Sequence, residues 1–276
     1  MLAELAGWRL LRLLGRGSHG SVYAGHSAAD SSTVALKVVS LPTGAQAAAA
    51  AQVFLEAARV AQRLQHRGIV AALDAGIDGA HAWLAMELVP GHNLSRHTSS
   101  GQLLPLGQVL AVAEQLAQAL AYAHRHGVVH RDLKPANVLI DWSTGAVKLA
   151  DFGLARAADA LQTGTGLVPG SPAYMAPEQL AGGVPSAQTD LYALGVVLFQ
   201  LLTGRLPHES HSMGELLRQV AHEPAPDLQL LRPDLPTEMA ALVTRLLAKR
   251  SEHRPADGDV LAEDLRSIRY ALAARR

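Results

Sequence analysis

His130-Arg131-Asp132-Leu133-Lys134-Pro135-Ala136-Asn137 places a carboxylate, an ammonium group and a carboxamide within six positions. That set suits phosphoryl transfer. Such chemistry needs a carboxylate to orient the attacking hydroxyl and accept its proton, a cation for the γ-phosphate, and an oxygen ligand for a metal. Asp132, Lys134 and Asn137 supply the three. The chain has only four lysines and two asparagines, so their meeting in one loop is hard to assign to chance. Asp151-Phe152-Gly153 follows fourteen residues after Asn137. A hard divalent cation takes oxygen ligands, which makes Asp151 and Asn137 candidates for the protein half of an Mg²⁺ site. Alone, Asp-Phe-Gly is only a turn; its spacing from the preceding motif makes it specific.

Two further motifs lie near the start. Gly15-Arg16-Gly17-Ser18-His19-Gly20, with Val22 after it, offers backbone N–H groups without side-chain obstruction, as a phosphate-covering hairpin requires. The same pattern reads equally as a flexible hairpin, and a dinucleotide site would need a helix directly after it. Val34-Ala35-Leu36-Lys37 puts a lysine in an apolar strand. Lys37 either points to water from an edge strand or grips phosphates, with Glu56, nineteen residues on, as its carboxylate partner.

The elements that must position these groups follow from hydrophobic periodicity. Trp8–Leu14, Gly20–Ser27 and Thr33–Ser40 read as strands, as do Ala71–Ile77 and His81–Leu88. Ala45–Gln65 reads as a helix, with Phe54, Ala57, Ala58, Ala61 and Leu64 on one face. After Pro90-Gly91 the pattern turns helical. Leu106–His126 carries Val109, Leu110, Ala113, Leu116, Ala117 and Leu120 on one stripe. Short strands are expected at Val138–Asp141 and Val147–Ala150, and helices at Thr189–Leu202, Met213–His222, Thr237–Lys249 and Asp257–Ala274. The motif at 130–137 thus lies on a loop between a long helix and a short strand. The expected fold is α+β and bilobal: a small antiparallel β lobe with one main helix, then a larger helical lobe.

In order and spacing, these motifs resemble the Hanks-type (eukaryotic-like) serine/threonine protein kinases, from about Trp8 to Ile268. Gly170-Ser171-Pro172-Ala173-Tyr174-Met175-Ala176-Pro177-Glu178-Gln179 is most similar to the bacterial members. The resemblance implies one kinase domain over 8–276, with an N-terminal lobe at 8–88, a hinge at 89–91 and a C-terminal lobe at 92–276. It implies ATP bound between the lobes, with Gly15–Gly20 over the phosphates and Lys37 paired to Glu56. Met86 resembles the gatekeeper, Glu87–Val89 the segment whose backbone bonds adenine, and Val22, Ala35 and Leu139 the residues that sandwich the ring. Asp190 resembles the carboxylate that braces the catalytic loop, and Glu178 with Arg254 the ion pair that anchors the activation segment. Arg131 in such kinases often pairs with an activation-segment phosphate, so Thr163 and Thr165 are the expected phosphorylation and autophosphorylation sites. Lys134 and Ser171 match the serine/threonine rather than the tyrosine pattern, with the Ser171 hydroxyl expected on Asp132 and Lys134. Serine there is a departure, since the family usually has threonine. So is His66-Arg67-Gly68-Ile69-Val70, where His-Pro-Asn is frequent.

Composition sets the remaining bounds. The formal net charge is zero with no basic run, which gives a nucleic-acid surface no electrostatic support. There is no cysteine, so disulfides and thiolate metal sites are excluded. No stretch reaches the roughly 18 apolar residues of a membrane helix, and Met1–Trp8 lacks a signal-peptide pattern, so a cytoplasmic signalling protein is expected. His124, His126 and His130 cluster, as do His208 and His211, but no carboxylate joins either group at ligand spacing, and both read as structural. The expected partners are protein substrates bearing Ser or Thr, with self-association for autophosphorylation. Two rival readings remain. A pseudokinase scaffold would lack a catalytic residue, yet Lys37, Glu56, Asp132, Asn137 and Asp151 are all present. A small-molecule phosphotransferase would not need the segment ending in Ala176-Pro177-Glu178.

Overall fold

The computed structural model describes residues 4–17, 20–27, 32–153 and 171–274. Contacts divide the chain into two compact units: the described residues of 1–90 and 151–170, and those of 91–150 and 171–276.

The first unit is a six-stranded antiparallel sheet. Its strands β1 (Glu4–Leu5), β2 (Trp8–Gly17), β3 (Gly20–Ser27), β4 (Thr33–Ser40), β5 (Ala72–Asp78) and β6 (His81–Glu87) lie in the order β1-β2-β3-β4-β6-β5. Strand alternation sorts β4 into two faces. Val34, Leu36 and Val38 are buried in one cluster with Leu5, Trp83 and Ala85, against which Trp8, Leu10 and Tyr23 pack. Ala35 and Lys37 take the other face. Helix α1 (Ala47–Gln62) packs on β5 and β6 and buries Phe54, Ala57, Ala58 and Ala61, the stripe that the 3.6-residue period marks. Gly20, which opens β3, has φ +119°, and a Cβ there would stand 2.3 Å from the Val38 carbonyl oxygen. Only glycine fits that turn.

The second unit starts at Gly91. Strands β7 (His92–Asn93), β8 (Val138–Asp141) and β9 (Ala146–Leu149) form a small antiparallel sheet. Six further elements of this unit are α2 (Leu106–Arg125), α3 (Pro177–Leu180), α4 (Ala187–Thr203), α5 (Met213–His222), α6 (Leu228–Leu231) and α7 (Thr237–Leu246). Helix α8 (Gly258–Ala274) follows and lies along α2. Helix α4 is buried on all sides from Thr189 to Phe199 and packs on α2 and α7, so it forms the centre of this unit. The β8–β9 turn is tied by Asp141, whose Oδ1 accepts from the Ser143 N–H at 2.9 Å and the Ser143 hydroxyl at 2.6 Å. Among the described residues, no helix is long and apolar enough to cross a membrane.

The long elements match the periodic reading to within a few residues. The two-residue strands β1 and β7 and the one-turn helices α3 and α6 are too short to show a period. Helix α7 ends at Leu246 rather than Lys249, because the carbonyls of Ala248 and Lys249 are turned to the Arg254 guanidinium. By contacts, residues 151–153 group with the first unit, where Asp151 forms an ion pair with Lys37.

Candidate active site

In the first unit the glycine motif is the end of a hairpin. Gly15 pairs with Val22, Arg16 with Ser21 and Gly17 with Gly20. Strand β3 follows the glycines directly, so the helix that a dinucleotide fingerprint requires is absent from that position. Ser18 and His19 lie outside the described residues. Val22 stands opposite Lys37 across the β3–β4 pair, and Ala35 opposite Met86 across the β4–β6 pair. Glu87, at the end of β6, reinforces that edge through its own backbone. Its N–H donates to the Ala71 carbonyl at 2.9 Å, and its Oε1 accepts from the Ala71 N–H at 2.8 Å. Val89 is partly buried just beyond.

Lys37 is only 5% exposed, and a buried ammonium needs a counter-charge. Its partner is Asp151, Nζ to Oδ2 at 2.8 Å. The expected pairing with Glu56 is not formed. Glu56 is exposed and accepts a hydrogen bond from Gln52 Nε2 at 3.1 Å. The reason is helical phase: Glu56 follows Phe54 by two residues, about 200° around the helix, and so faces away from the side that α1 buries. Asp151 itself has φ +67°, a left-handed conformation that a non-glycine residue holds only when its surroundings enforce it.

In the second unit the loop at 130–137 is built around one buried carboxylate. Asp190 lies in the first turn of α4 and is fully buried. Its Oδ2 accepts from the His130 N–H at 2.7 Å and from His124 Nε2 at 2.8 Å, and its Oδ1 accepts from the Arg131 N–H at 2.8 Å. Arg131 is held at φ +70° between these bonds. His130 is buried, and its Nε2 reaches the Ala150 carbonyl at 2.8 Å. Gln179 Nε2 adds a bond to the Arg131 carbonyl at 3.2 Å.

On that frame Asp132, Lys134 and Asn137 meet. Lys134 Nζ lies 3.0 and 2.7 Å from the two Asp132 oxygens. Asn137 Nδ2 donates to the Asp132 carbonyl at 2.8 Å and approaches its Oδ2 at 3.2 Å. Leu139, in β8, pairs with Lys148 and Asn93. Ser171 precedes the 3-10 turn Pro172–Tyr174, and its hydroxyl makes no bond to Asp132 or Lys134. Thr163 and Thr165 lie outside the described residues.

Glu178 and Arg254 form the expected ion pair, in a bidentate geometry of 2.6 and 2.8 Å. The remaining guanidinium bonds go to the carbonyls of Gln188, Ala248 and Lys249. The Tyr192 ring lies under the guanidinium at 4.9 Å. Burial pushes the Glu178 carboxyl up, but the Arg254 hydrogen bonds and charge, a backbone hydrogen bond and the Thr189 hydroxyl together outweigh it and hold the group below its ordinary pKa.

Sequence reasoning missed three residues of this network: His124 on Asp190, Gln179 on Arg131, and Thr189, whose hydroxyl donates to Glu178 at 3.0 Å. The only available signal was the spacing of His124, six residues before His130 at the end of a long helix.

The family model "Protein kinase domain" matches residues 8–266, and the chain belongs to that family. It is 39% identical, over 94% of its length, to the DNA damage-responsive serine/threonine-protein kinase RqkA of Deinococcus radiodurans. It is 37% identical over 97% to the serine/threonine-protein kinase pkn2 of Myxococcus xanthus, and 37% over 93% to PknL of Mycobacterium tuberculosis. The chain spans 39%, 33% and 64% of the lengths of these bacterial relatives.

Proposed function

We propose that the chain transfers the γ-phosphate of ATP to serine or threonine hydroxyls of protein substrates, through one kinase domain spanning 8–276 with its hinge at 89–91. The observation that carries this reading is the Asp132–Lys134–Asn137 arrangement on the Asp190 frame. Asp132 accepts the proton of the attacking hydroxyl, and Lys134, within 3.0 Å of it, meets the charge of the transferred group. Lys37 steadies the nucleotide phosphates, Gly15–Gly20 cover them, and Val22, Ala35, Met86, Glu87, Val89 and Leu139 hold the base.

By donor chemistry, Asn137 and Asp151 are the proposed ligands of Mg²⁺. Asn137 commits its amide nitrogen to Asp132, which leaves the carboxamide oxygen for a cation, and Asp151 adds a partly exposed carboxylate. Bound there, the ion would neutralise phosphate charge. Because its backbone is pinned before any substrate arrives, the loop contributes mainly by positioning and fixed electrostatics. Arg131 is the proposed partner of a phosphate on Thr163 or Thr165, added by autophosphorylation between two copies, and the proposed setting is the cytoplasm.

Incubation with γ-labelled ATP and Mg²⁺, wild type beside Asp132→Asn, tests the reading. Transfer should fall about 10²–10⁴-fold in the variant at unchanged folding. Mass spectrometry should place wild-type label on Thr163 or Thr165. ATP binding without transfer in the wild type would overturn the catalytic reading in favour of a binding scaffold.

A further inference from the structure

We propose that Gln179 is a positioning residue for phosphoryl transfer, one that links the seating of Ala176-Pro177-Glu178 to the aim of Asp132. This role rests on the proposed kinase activity. Gln179 lies in α3, next to Glu178, whose carboxylate is clamped by Arg254. Its carboxamide bridges two stretches of backbone. Oε1 accepts from the Ala176 N–H at 3.0 Å, and Nε2 donates to the Arg131 carbonyl at 3.2 Å. A backbone N–H can only donate and a carbonyl can only accept, so these two partners fix which end of the amide faces which.

The consequence emerges when the loop is followed plane by plane. Asp190 accepts from the N–H groups of His130 and Arg131, and so fixes the peptide planes that contain them. Asn137 Nδ2 donates to the Asp132 carbonyl and fixes the plane after Asp132. The plane between, which joins Arg131 to Asp132, is reached by neither. His130 holds its N–H side. The His130 Nε2 is 2.8 Å from the Ala150 carbonyl and carries the proton, so Nδ1 is the acceptor for the Asp132 N–H at 3.3 Å. Gln179 holds the carbonyl side, by the shorter of the two bonds.

This plane carries the N–Cα bond from which the Asp132 side chain projects. It also follows a residue at φ +70°, a conformation that persists where surrounding bonds hold it. Without Gln179 the plane keeps one long bond, and the Asp132 carboxylate loses part of its fixed direction. A catalytic group misplaced by about 1 Å can cost roughly 100-fold in rate. Ala176 is fully buried, and Thr189 of α4 adds a bond to Glu178, so Gln179 starts from a fixed base.

The experiment follows transfer from ATP to dephosphorylated casein by the whole chain, with kcat and the KM for ATP separated and a melting temperature taken for each variant. Gln179→Glu keeps the acceptor for Ala176 but sets a carboxylate oxygen against the Arg131 carbonyl. Gln179→Leu removes both bonds at similar size. Each should lower kcat at least about tenfold, with the KM for ATP within about twofold of wild type and the melting temperature unchanged. A residue that only capped α3 would keep its Ala176 bond, and full activity, in Gln179→Glu. Wild-type kcat in that variant therefore overturns the assignment. So does a loss matched by a fallen melting temperature or a raised KM for ATP. Should one variant fail to fold, the other decides by the same criteria. An inactive wild type is a separate failure: it removes the kinase activity itself, and the role of Gln179 with it.

Discussion

In the first unit the Lys37 ammonium rests on one carboxylate, Asp151, whose side chain is 25% exposed. In the second, Arg254 is wholly buried and places all five guanidinium donor positions, on Glu178 and on the carbonyls of Gln188, Ala248 and Lys249. The same contrast runs through the backbones. Strand β2 is exposed along most of its length and ends in the glycine hairpin, whereas the loop at 130–137 hangs from the buried Asp190. The glycine-hairpin end of the first unit is thus lightly tied, and the loop at 130–137 of the second is held by buried bonds. On the proposed function this difference suits a nucleotide that has to enter and leave and a hydroxyl that has to be positioned.

Breaking the tighter network should cost most. Arg254→Met leaves Glu178 half-buried and unpaired, and should lower unfolding stability by about 3–5 kcal/mol in denaturant melts. Lys37→Met should lose less than half of that; an equal loss would erase the contrast.

Next comes acid sensitivity, which belongs to the second unit. The His208 imidazole is buried beside Lys249, whose Nζ also donates to the Val220 carbonyl at 2.7 Å. Burial, then the Lys249 charge, push His208 down to about 4, against a smaller opposing pull from Glu223. Its folded pKa lies below the unfolded value near 6.5. The stability it contributes is therefore full above pH 6.5 and is lost as pH falls toward 4. Melts at pH 7 and 4.5 should differ by on the order of 2 kcal/mol from this residue, a difference that His208→Phe should remove.

In the first unit, Gly20→Ala drives a Cβ against the Val38 carbonyl and should cost about 1–2 kcal/mol, with weakened ATP binding. The smallest effect is expected at Glu56. Glu56→Gln should change stability by less than about 0.5 kcal/mol, because the residue is exposed and its bond among the described residues is to Gln52. A larger loss would place Glu56 back on Lys37.

Much of this molecule could be read along the chain. Phe54, Ala57, Ala58 and Ala61 announced both helix α1 and its buried face, and the β8–β9 hairpin followed from a four-residue turn between β-branched segments. The meeting of Asp132, Lys134 and Asn137 was legible for the same reason: six residues of loop cannot place them far apart. Glu56 is where helical phase adds to the resemblance, since the stripe that marks α1 turns Glu56 outward in this structure, in which Lys37 pairs with Asp151.

The sequence by itself therefore determined the elements, their boundaries within a few residues, and the local cluster of reactive groups. Each depends on interactions between neighbours in the chain. Only the tertiary structure decided that Asp151 rather than Glu56 answers Lys37, that His124 shares Asp190 with two backbone amides, and that Arg254 is saturated. A buried charge takes whichever partner the fold brings within about 3 Å, and that choice is made across scores of residues, where spacing carries no information.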